Sequence, residues 1–278
     1  MNLNTTKVCD LPRYPGIGSY GPMVLTYIKD QQLLAACGTW NHSCYQLSLD
    51  QPSGWQPLPA GNLSNSFCSL PSTTRSHLLQ EIGWLIIGQQ DGRCGISGAA
   101  ISTELLTPQL EWTQPPISSP YGSGGYPYKT CSVTINPISV IVTGGVNGNG
   151  RLSSAWMLDL TDYTWTRLQD MPGPKSDHGC TVTATGELMV VGGSPNDRSV
   201  YSYNLINNTW SQVGDLPNGI NTYYPVMFLW NKHPIILESG SFNIWILDRT
   251  NWKKMEATSG GSYDGETAIT VPSGIFKC

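Results

Sequence analysis

One pattern recurs five times along this chain: a short apolar strand that ends at glycine, a loop, a strand that carries an aromatic residue, and a tryptophan. The two clearest copies run over 138–165 and 187–210, where the apolar strands read ISVIVTGG and ELMVVGG. The glycines that mark the pattern are Gly38, Gly88, Gly144, Gly192 and Gly240, and the tryptophans are Trp55, Trp112, Trp165, Trp210 and Trp252. A repeat of about 50 residues built from strands predicts an array of small sheets, because one such sheet cannot bury both of its faces alone.

Each repeat is predicted to contain four antiparallel strands, which we name a to d. In the fourth repeat, a turn at Gly186 separates strands a and b, and Asn207-Asn208 turns the chain between strands c and d. Strand b is almost wholly apolar, which is typical of a strand that is buried on both faces. We therefore expect the aromatic side chains of strands c and d to fill the wedge between neighbouring repeats.

The two ends of the chain together resemble a sixth repeat. Residues 4–12 read NTTKVCDLP and align with TWSQVGDLP at 209–217, the region of strand d in the fourth repeat. Residues 267–278 have the pattern of strands a and b. An N-terminal strand that joins the C-terminal strands would close the array into a ring and leave no open sheet edge.

A short motif follows strand d in three places, where Asp-Met-Pro or Asp-Leu-Pro occupies 170–172, 215–217 and 10–12. Together with the Gly-Gly ends of strand b, this motif makes the whole chain resemble the kelch-repeat β-propeller family. The resemblance implies an all-β, six-bladed kelch-type β-propeller that forms a single domain over 1–278. The expected blades are 21–58, 75–114, 130–168, 178–213, 223–255, and 265–278 joined by 4–11. The chain departs from the Gly-Gly motif at Cys37-Gly38, Gly88-Gln89 and Ser239-Gly240.

Charge and hydropathy exclude some partners. The net charge is −4, charged residues make up 12% of the chain, and lysines and arginines form no run. These values argue against nucleic acid and anionic membrane surfaces as partners. No stretch of the sequence reaches 18 apolar residues, so we expect no insertion into a membrane.

The topology of the predicted blades puts the b–c and d–a connections on one face, and these connections are longer than the a–b and c–d turns. Long connections often carry function. Arginines and aromatic residues concentrate there, as they do at binding hot spots. The candidate partner-binding residues are Arg13, Arg75, Arg93, Arg151, Arg198, Trp40, Tyr126, Tyr128, Tyr223 and Tyr224. The alternative for each arginine is an ion pair with a local carboxylate, such as Asp91, Asp177 or Asp197.

The sequence therefore predicts a non-catalytic recognition module that binds a protein or peptide through this face. The family resemblance implies that its arginines grip acidic side chains of a peptide. A carbohydrate-binding propeller is the alternative, with Trp40, Tyr126 and Tyr224 as residues that would stack on sugar rings. A glycan is accordingly an alternative partner.

An enzyme is less favoured by the sequence. Copper-radical oxidases share the kelch propeller, but the four histidines are scattered, and His77 and His178 take similar places at the start of strand a, which indicates a structural role. Common hydrolase, phosphate-binding and metal motifs are missing from the sequence. The Asn-Gly string at 147–150 and Asn196-Asp197 resemble calcium loops but are typical of simple turns. We expect no catalytic residues, no cofactor and no metal.

Eight cysteines and four Asn-x-Ser/Thr sequons, at Asn4, Asn41, Asn62 and Asn207, favour a secreted or extracellular glycoprotein. Cys37 and Cys44 flank one loop, and a disulfide between them is expected. A bond between Cys9 and Cys278 would lock the ring shut. Cys68 and Cys94 are a third candidate pair, whereas Cys131 and Cys180 are expected as buried free thiols. Spacing alone does not decide the pairing.

Overall fold

The computed structural model describes residues 15, 24–28, 32–37, 44–50, 54–58, 75–79, 81–89, 101–122, 125–194, 196–238, 241 and 243–255. Within these residues, every regular element is a β-strand, and four-stranded antiparallel sheets form the blades of a β-propeller. None of the described residues forms a helix with the length and apolar character needed to cross a bilayer.

The first two blades come from the N-terminal part of the chain. Blade 1 consists of β1 (Val24–Ile28), β2 (Leu33–Cys37), β3 (Cys44–Ser48) and β4 (Gln56–Pro57). Blade 2 consists of β5 (Arg75–Leu79), β6 (Gly83–Gln89), β7 (Ile101–Leu106) and β8 (Trp112–Thr113).

Three further blades follow. Blade 3 consists of β9 (Cys131–Asn136), β10 (Ser139–Thr143), β13 (Ala155–Asp159) and β14 (Thr164–Arg167), and a small hairpin between its second and third strands is formed by β11 (Val146–Asn147) and β12 (Gly150–Arg151). Blade 4 consists of β15 (Gly179–Val182), β16 (Leu188–Val191), β17 (Ser199–Asn204) and β18 (Thr209–Asp215). Blade 5 consists of β19 (Val226–Trp230), β20 (His233–Leu237), β21 (Ile244–Asp248) and β22 (Asn251–Met255).

The first strand of each blade lies on the inside of the propeller. β1 contacts β5, β5 contacts β9, β9 contacts β15, and β15 contacts β19. Strands are hydrogen-bonded within each sheet in chain order, so the fourth strand is outermost. The described chain thus forms five blades rather than the expected six. The expected sixth blade, 265–278 with 4–11, lies outside the described residues.

Apolar clusters between neighbouring blades form the core. Leu85 and Ile87 of blade 2 pack with Val140 and Val142 of blade 3, and all four side chains are 0–1% exposed. Equivalent clusters join blade 1 to blade 2, blade 3 to blade 4, and blade 4 to blade 5. Burial on both faces explains why the second strands are almost wholly apolar.

The Gly-Gly pairs lie where the segment that leads into the next blade crosses the end of the second strand. The Gly145 amide donates to the Lys175 carbonyl at 2.8 Å, and the equivalent Gly193 amide donates to the Thr222 carbonyl at 2.8 Å. A Cβ on Gly145, whose φ is +94°, would lie 2.7 Å from the Tyr128 carbonyl oxygen. Glycine is therefore needed here both for its backbone conformation and for its lack of a side chain.

Blade 5 replaces the first of these glycines by Glu238. Strand pairing aligns Glu238, rather than the expected Gly240, with Gly144 and Gly192. The carboxylate is buried and accepts hydrogen bonds from Trp245 Nε1 at 2.9 Å, the Asn221 amide at 3.2 Å and Asn243 Nδ2 at 2.6 Å. Glu238 thus ties the third strand and the connecting loop of blade 5 to the end of its second strand.

Two disulfides lie in the described residues. Cys37 and Cys44 are joined across one hairpin loop, with a Cα–Cα distance of 4.1 Å. Cys131 and Cys180 are also joined, with a Cα–Cα distance of 6.0 Å, so the expectation of buried free thiols was wrong. Contact between the inner strands β9 and β15 brings these two side chains together. Cys9, Cys68, Cys94 and Cys278 lie outside the described residues, as do Asn4, Asn41 and Asn62.

In blades 3 and 4, a tryptophan on the outermost strand is hydrogen-bonded to the connection that leads into the blade. Trp165 Nε1 donates to the Ser118 carbonyl at 2.7 Å, and Trp210 Nε1 donates to the Gln169 carbonyl at 2.8 Å. The Trp210 ring also lies 4.8 Å, centroid to centroid, from the Tyr203 ring. Both tryptophans are partly buried against interblade clusters, which agrees with the wedge-filling role expected of them.

The crossing predicts a large difference between two glycine substitutions that share a positive φ. Gly145→Ala introduces a Cβ into contact distance of backbone, whereas a Cβ on Gly186 (φ +83°) meets open space. We expect Gly145→Ala to lower the free energy of unfolding by about 3–5 kcal/mol and Gly186→Ala by about 1–2 kcal/mol. Chemical denaturation of both variants measures the difference. Equal losses would show that the Tyr128 carbonyl does not exclude a Cβ at Gly145.

Candidate partner-binding face

One face of the propeller, which we call the long-loop face, is formed by the described connections that meet at one end of the inner strands. They are residues 115–122, 125–130, 144–154, 171–178, 192–194, 196–198 and 216–225. All belong to blades 3, 4 and 5 or to the connections that lead into them. The described part of this face thus surrounds the Gly-Gly pairs, where the segment that leads into the next blade crosses the end of a second strand.

Three residues with left-handed backbone conformation form a chain of hydrogen bonds across this face. Lys129, Asp177 and Tyr224 each lie two residues before an inner strand and have φ values of 61°, 57° and 48°. The Asp177 amide donates to the Lys129 carbonyl at 3.1 Å, and the Tyr224 amide donates to the Asp177 carbonyl at 2.9 Å. Non-glycine residues adopt this conformation only when the surroundings hold them. The backbone of the face is therefore held in place from blade to blade.

The side chains of the same three residues form one polar cluster. Lys129 Nζ lies 3.0 Å from Asp177 Oδ1 and 5.5 Å from the centre of the Tyr224 ring. Burial opposes the charge on Lys129, but hydrogen bonds to Tyr224 and Asp177 outweigh it and raise its pKa. Burial, together with Asp177, raises the pKa of Tyr224. Asp177 is 1% exposed and Lys129 is 29% exposed, so solvent reaches the lysine but not the carboxylate.

Two tyrosines flank this cluster. Tyr223 is 39% exposed, and its hydroxyl accepts a hydrogen bond from Ser194 Oγ at 3.2 Å. Tyr128 is half-buried, and its backbone pairs with Val146 through hydrogen bonds of 3.0 and 2.8 Å. Tyr223 thus offers an exposed ring, whereas Tyr128 mainly holds the β11–β12 hairpin against blade 3.

Arg151 and Arg198 have different environments. Arg151 ends the β11–β12 hairpin and is exposed, and its side chain has no hydrogen bond or ion pair to any described residue. Arg198 is half-buried: its guanidinium donates to the Leu216 carbonyl through two nitrogens and to Asn218 Oδ1 at 2.5 Å. Arg151 is free to meet a partner, while Arg198 joins two loops of the scaffold.

A buried lysine, Lys175, forms hydrogen bonds beneath the long-loop face. Lys175 is 0% exposed, and its ammonium donates to Asp197 Oδ2 at 2.6 Å, the Gly192 carbonyl at 2.9 Å and Ser199 Oγ at 2.9 Å. It also lies 4.6 Å from the centre of the Tyr201 ring. Burial lowers the pKa of Lys175 despite Asp197, while hydrogen bonds from Lys175 and Ser199 overcome burial and lower the pKa of Asp197.

The loops that resembled calcium sites have their oxygens engaged within the protein. Asn147 Oδ1 accepts from the Asn149 amide at 2.9 Å, and Asp197 Oδ1 accepts from Ser199 at 2.6 and 2.8 Å. Among the described residues, no group of three or more His, Cys, Asp or Glu side chains has an arrangement that would hold a metal.

The described histidines form hydrogen bonds within the scaffold. His77 is buried and contacts Ser132 Oγ at 2.8 Å and Thr134 Oγ1 at 3.2 Å, while His178 contacts Thr143 Oγ1 at 2.9 Å. His77 lies inside β5, whereas His178 precedes β15, so the two do not take equivalent places as expected. Each nevertheless bridges neighbouring blades.

The structure brings together five of the predicted binding residues and moves one into the core. Arg151, Arg198, Tyr128, Tyr223 and Tyr224 lie on the long-loop face. Tyr126 is 1% exposed and packs edge-on against Tyr121 at 5.7 Å, so its predicted surface role was wrong. Arg13, Arg93 and Trp40 and the side chain of Arg75 lie outside the described residues.

Sequence reasoning missed Lys129 as a member of the site and treated Asp177 as a partner for arginine. The available signal was their shared spacing, since each lies two residues before the first strand of a blade whose second strand ends in Gly-Gly. A comparison of the repeats at this one place would have selected both.

Known proteins match parts of this repeat array. A family model described as Kelch motif matches residues 130–172, which cover blade 3 and its exit. The chain is 35% identical over 82 residues to Kelch domain-containing protein 10 of Xenopus tropicalis, and 29% identical over 124 residues to an F-box/kelch-repeat protein of Arabidopsis thaliana. The motif and these partial matches support a kelch-repeat family for the chain. The two matches cover 28% and 44% of this chain, but only 20% and 28% of the respective relatives.

The buried ion pair of this kelch propeller predicts a stability loss on acidification. The pKa of Asp197 is lowered in the folded state, so its stabilising effect is present above the unfolded value of about 3.9 and is lost as the pH falls through the folded pKa. We expect Asp197→Asn to cost about 2–3 kcal/mol at pH 7, because it leaves the Lys175 ammonium without its carboxylate. Acid unfolding of both proteins measures the effect.

Asp248→Asn is the matched control, since Asp248 pairs with Lys253 on the surface. It should leave stability at pH 7 unchanged within error. If Asp197→Asn behaves like Asp248→Asn, the Lys175–Asp197 pair does not support the face.

Proposed function

We propose that this kelch propeller is a non-catalytic recognition module that binds a protein or peptide through its long-loop face. The observation that carries the proposal is the contrast between a fixed backbone and free side chains on that face. Lys129, Asp177 and Tyr224 are joined by backbone hydrogen bonds, whereas Arg151 and Tyr223 are exposed beside them. A surface that is already ordered loses little conformational entropy on binding, which favours affinity.

The charges of the face favour an acidic segment in the partner. The carboxylates of Asp177 and Asp197 are neutralised by Lys129 and Lys175. Arg151, by contrast, has no carboxylate among the described residues. An arginine that is free and exposed forms charge-assisted, two-pronged hydrogen bonds with a carboxylate. We infer that Arg151 meets an Asp or Glu side chain of the partner.

The family supports the broader part of the proposal. Kelch-repeat proteins commonly act as protein-interaction modules and are generally non-catalytic scaffolds. The described histidines and cysteines are engaged within the scaffold, which gives the copper-oxidase alternative no support.

Carbohydrate binding has less support than peptide binding. Of the aromatic residues predicted to stack on sugars, Tyr126 is buried, and Trp40 lies outside the described residues. The third, Tyr224, is half-buried with the Lys129 ammonium over its ring. A sugar that stacked on Tyr224 would have to displace the lysine from this ring.

We also propose that a sixth blade, formed by 265–278 with 4–11, closes the ring. Support comes from the outward faces of blades 1 and 5. Leu34 and Leu47 of blade 1 are 2% and 0% exposed but do not belong to the cluster shared with blade 2. Ile235 and Ile246 of blade 5 are 1% and 2% exposed and lie opposite the face that packs on blade 4. Buried apolar faces at both ends of the arc require a covering element.

Disulfide mapping tests this closure. We expect a peptide linked through Cys9 and Cys278 after proteolysis of the non-reduced protein, because the sixth blade would place these cysteines on adjacent strands. Cys37–Cys44 and Cys131–Cys180 serve as internal controls for the mapping. Alkylation of both Cys9 and Cys278 in the native protein would contradict the closure.

Arginine substitutions test the binding face. A displayed peptide library selects ligands of the native protein, and the best peptides are then measured against variants. We expect Arg151→Ala to weaken acidic peptides about tenfold or more with an unchanged melting temperature, because its side chain is free. Arg198→Ala should lower the melting temperature, because the guanidinium joins two loops.

Arg249→Ala is the control for lost positive charge, since Arg249 is exposed in the turn between β21 and β22 on the opposite side of the blades. Arg249→Ala should change neither the affinity for acidic peptides nor the melting temperature. If Arg249→Ala and Arg151→Ala weaken peptide binding equally, the effect comes from the loss of net positive charge. That result would contradict a site on the long-loop face.

A further inference from the structure

The turn between β17 and β18 of blade 4 contains a sequon, Asn207-Asn208-Thr209, in which the two asparagines have different environments. Asn208 is fixed: its Oδ1 accepts from the Tyr203 hydroxyl at 2.5 Å and from the Gln169 amide at 3.0 Å. Its φ of +52° belongs to the left-handed region. Asn208 therefore holds the turn against blade 3.

Asn207 lies in the same turn, but its side chain takes no part in the hydrogen bonds of the turn. Its backbone amide donates to Asn204 Oδ1 at 3.0 Å, but its side chain is exposed and has no hydrogen-bond partner among the described residues. The neighbouring Ile206 is 93% exposed, so the tip of the turn projects from the surface. The sequon thus places a free carboxamide on a fixed, projecting turn.

The disulfides supply an independent observation about the compartment. Cys37–Cys44 and Cys131–Cys180 include every cysteine of the described residues. Structural disulfides form and persist in oxidising compartments such as the secretory pathway. Asparagine glycosylation at Asn-x-Ser/Thr takes place on secreted proteins. Pairing of the cysteines and exposure of Asn207 therefore point to the same cellular environment.

We propose that the chain matures in the secretory pathway and carries an N-linked glycan on Asn207. In this step Asn207 Nδ2 loses one proton and forms a bond to the anomeric carbon of an oligosaccharide carried on a polyisoprenyl pyrophosphate. The bond between that carbon and the pyrophosphate oxygen breaks, and the polyisoprenyl pyrophosphate leaves with the electron pair while the amide proton passes to solvent. No oxidant or reductant takes part, and the transferase that binds the lipid-linked donor comes from the cell.

A glycan at this turn has a clear orientation. The turns between third and fourth strands lie at the end of the blades opposite the long-loop face, as the antiparallel strand order requires. A bulky, hydrated sugar on Asn207 would cover part of the short-turn face and leave Arg151 and Tyr223 accessible. The inference does not depend on the proposed function, since a glycan there is compatible with any partner on the long-loop face.

The experiment uses the full chain secreted from eukaryotic cells behind a cleavable leader, with Asn4, Asn41 and Asn62 changed to Gln. Peptide mass spectrometry before and after enzymatic deglycosylation reads the state of Asn207. We expect glycan mass on the peptide that contains Asn207. It should be lost completely in Asn207→Gln and in Thr209→Ala and retained in Thr209→Ser, because the sequon accepts either hydroxyl residue.

Two results would overturn the proposal. The first is secreted protein with both disulfides formed and an unmodified Asn207. The second is protein from its native source in which Cys37, Cys44, Cys131 and Cys180 are all alkylated without reduction, since this would place the chain in a reducing compartment.

Discussion

The described structure depends on one constraint. The segment that leads into a blade crosses the end of the second strand of the blade before it. At Gly145 and Gly193 the glycine amide pairs with a carbonyl of the segment that leads into the next blade. A Cβ on the preceding Gly144 would lie 2.4 Å from the same Lys175 carbonyl oxygen, and a Cβ on Gly192 would lie 3.0 Å from the same Thr222 carbonyl oxygen. This close approach fixes where the next inner strand begins. It therefore also fixes the left-handed residues Lys129, Asp177 and Tyr224, whose amides and carbonyls continue the chain of hydrogen bonds from blade to blade. Scaffold and candidate site thus share one set of backbone contacts.

Much of the fold was predictable because its determinants are local. Apolar second strands, turn residues and the tryptophans of the fourth strands all lie within one repeat, and the five described four-stranded sheets follow from them. The position of Glu238 was not predictable in this way, since Gly240 continues the apparent glycine period, whereas strand pairing places Glu238 at the crossing. Periodicity aligns the repeats only to within a few residues. Hydrogen bonding between strands decides the final register.

The candidate site was less predictable because its roles depend on contacts between residues far apart in the chain. Arg151 and Arg198 look alike in the sequence, but contacts with the Leu216 carbonyl and Asn218 Oδ1 hold Arg198, whereas Arg151 has no such contact among the described residues. Tyr126 and Tyr128 are two residues apart, yet one lies in the core between blades 2 and 3 and the other beside a hairpin. Composition predicted a surface rich in arginine and tyrosine. It did not tell which of these side chains remain available.

The bond between Cys131 and Cys180 gives the middle of the propeller a covalent connection that bypasses the chain between them. It joins the inner strands of blades 3 and 4, so the 49-residue separation that it closes contains most of blade 3 and the whole connection to blade 4. A protease that cut the β11–β12 hairpin would leave two fragments that stay one molecule until a reductant is added. A break in the exposed hairpin that carries Arg151 therefore leaves the parts of the chain before and after it covalently joined through Cys131 and Cys180.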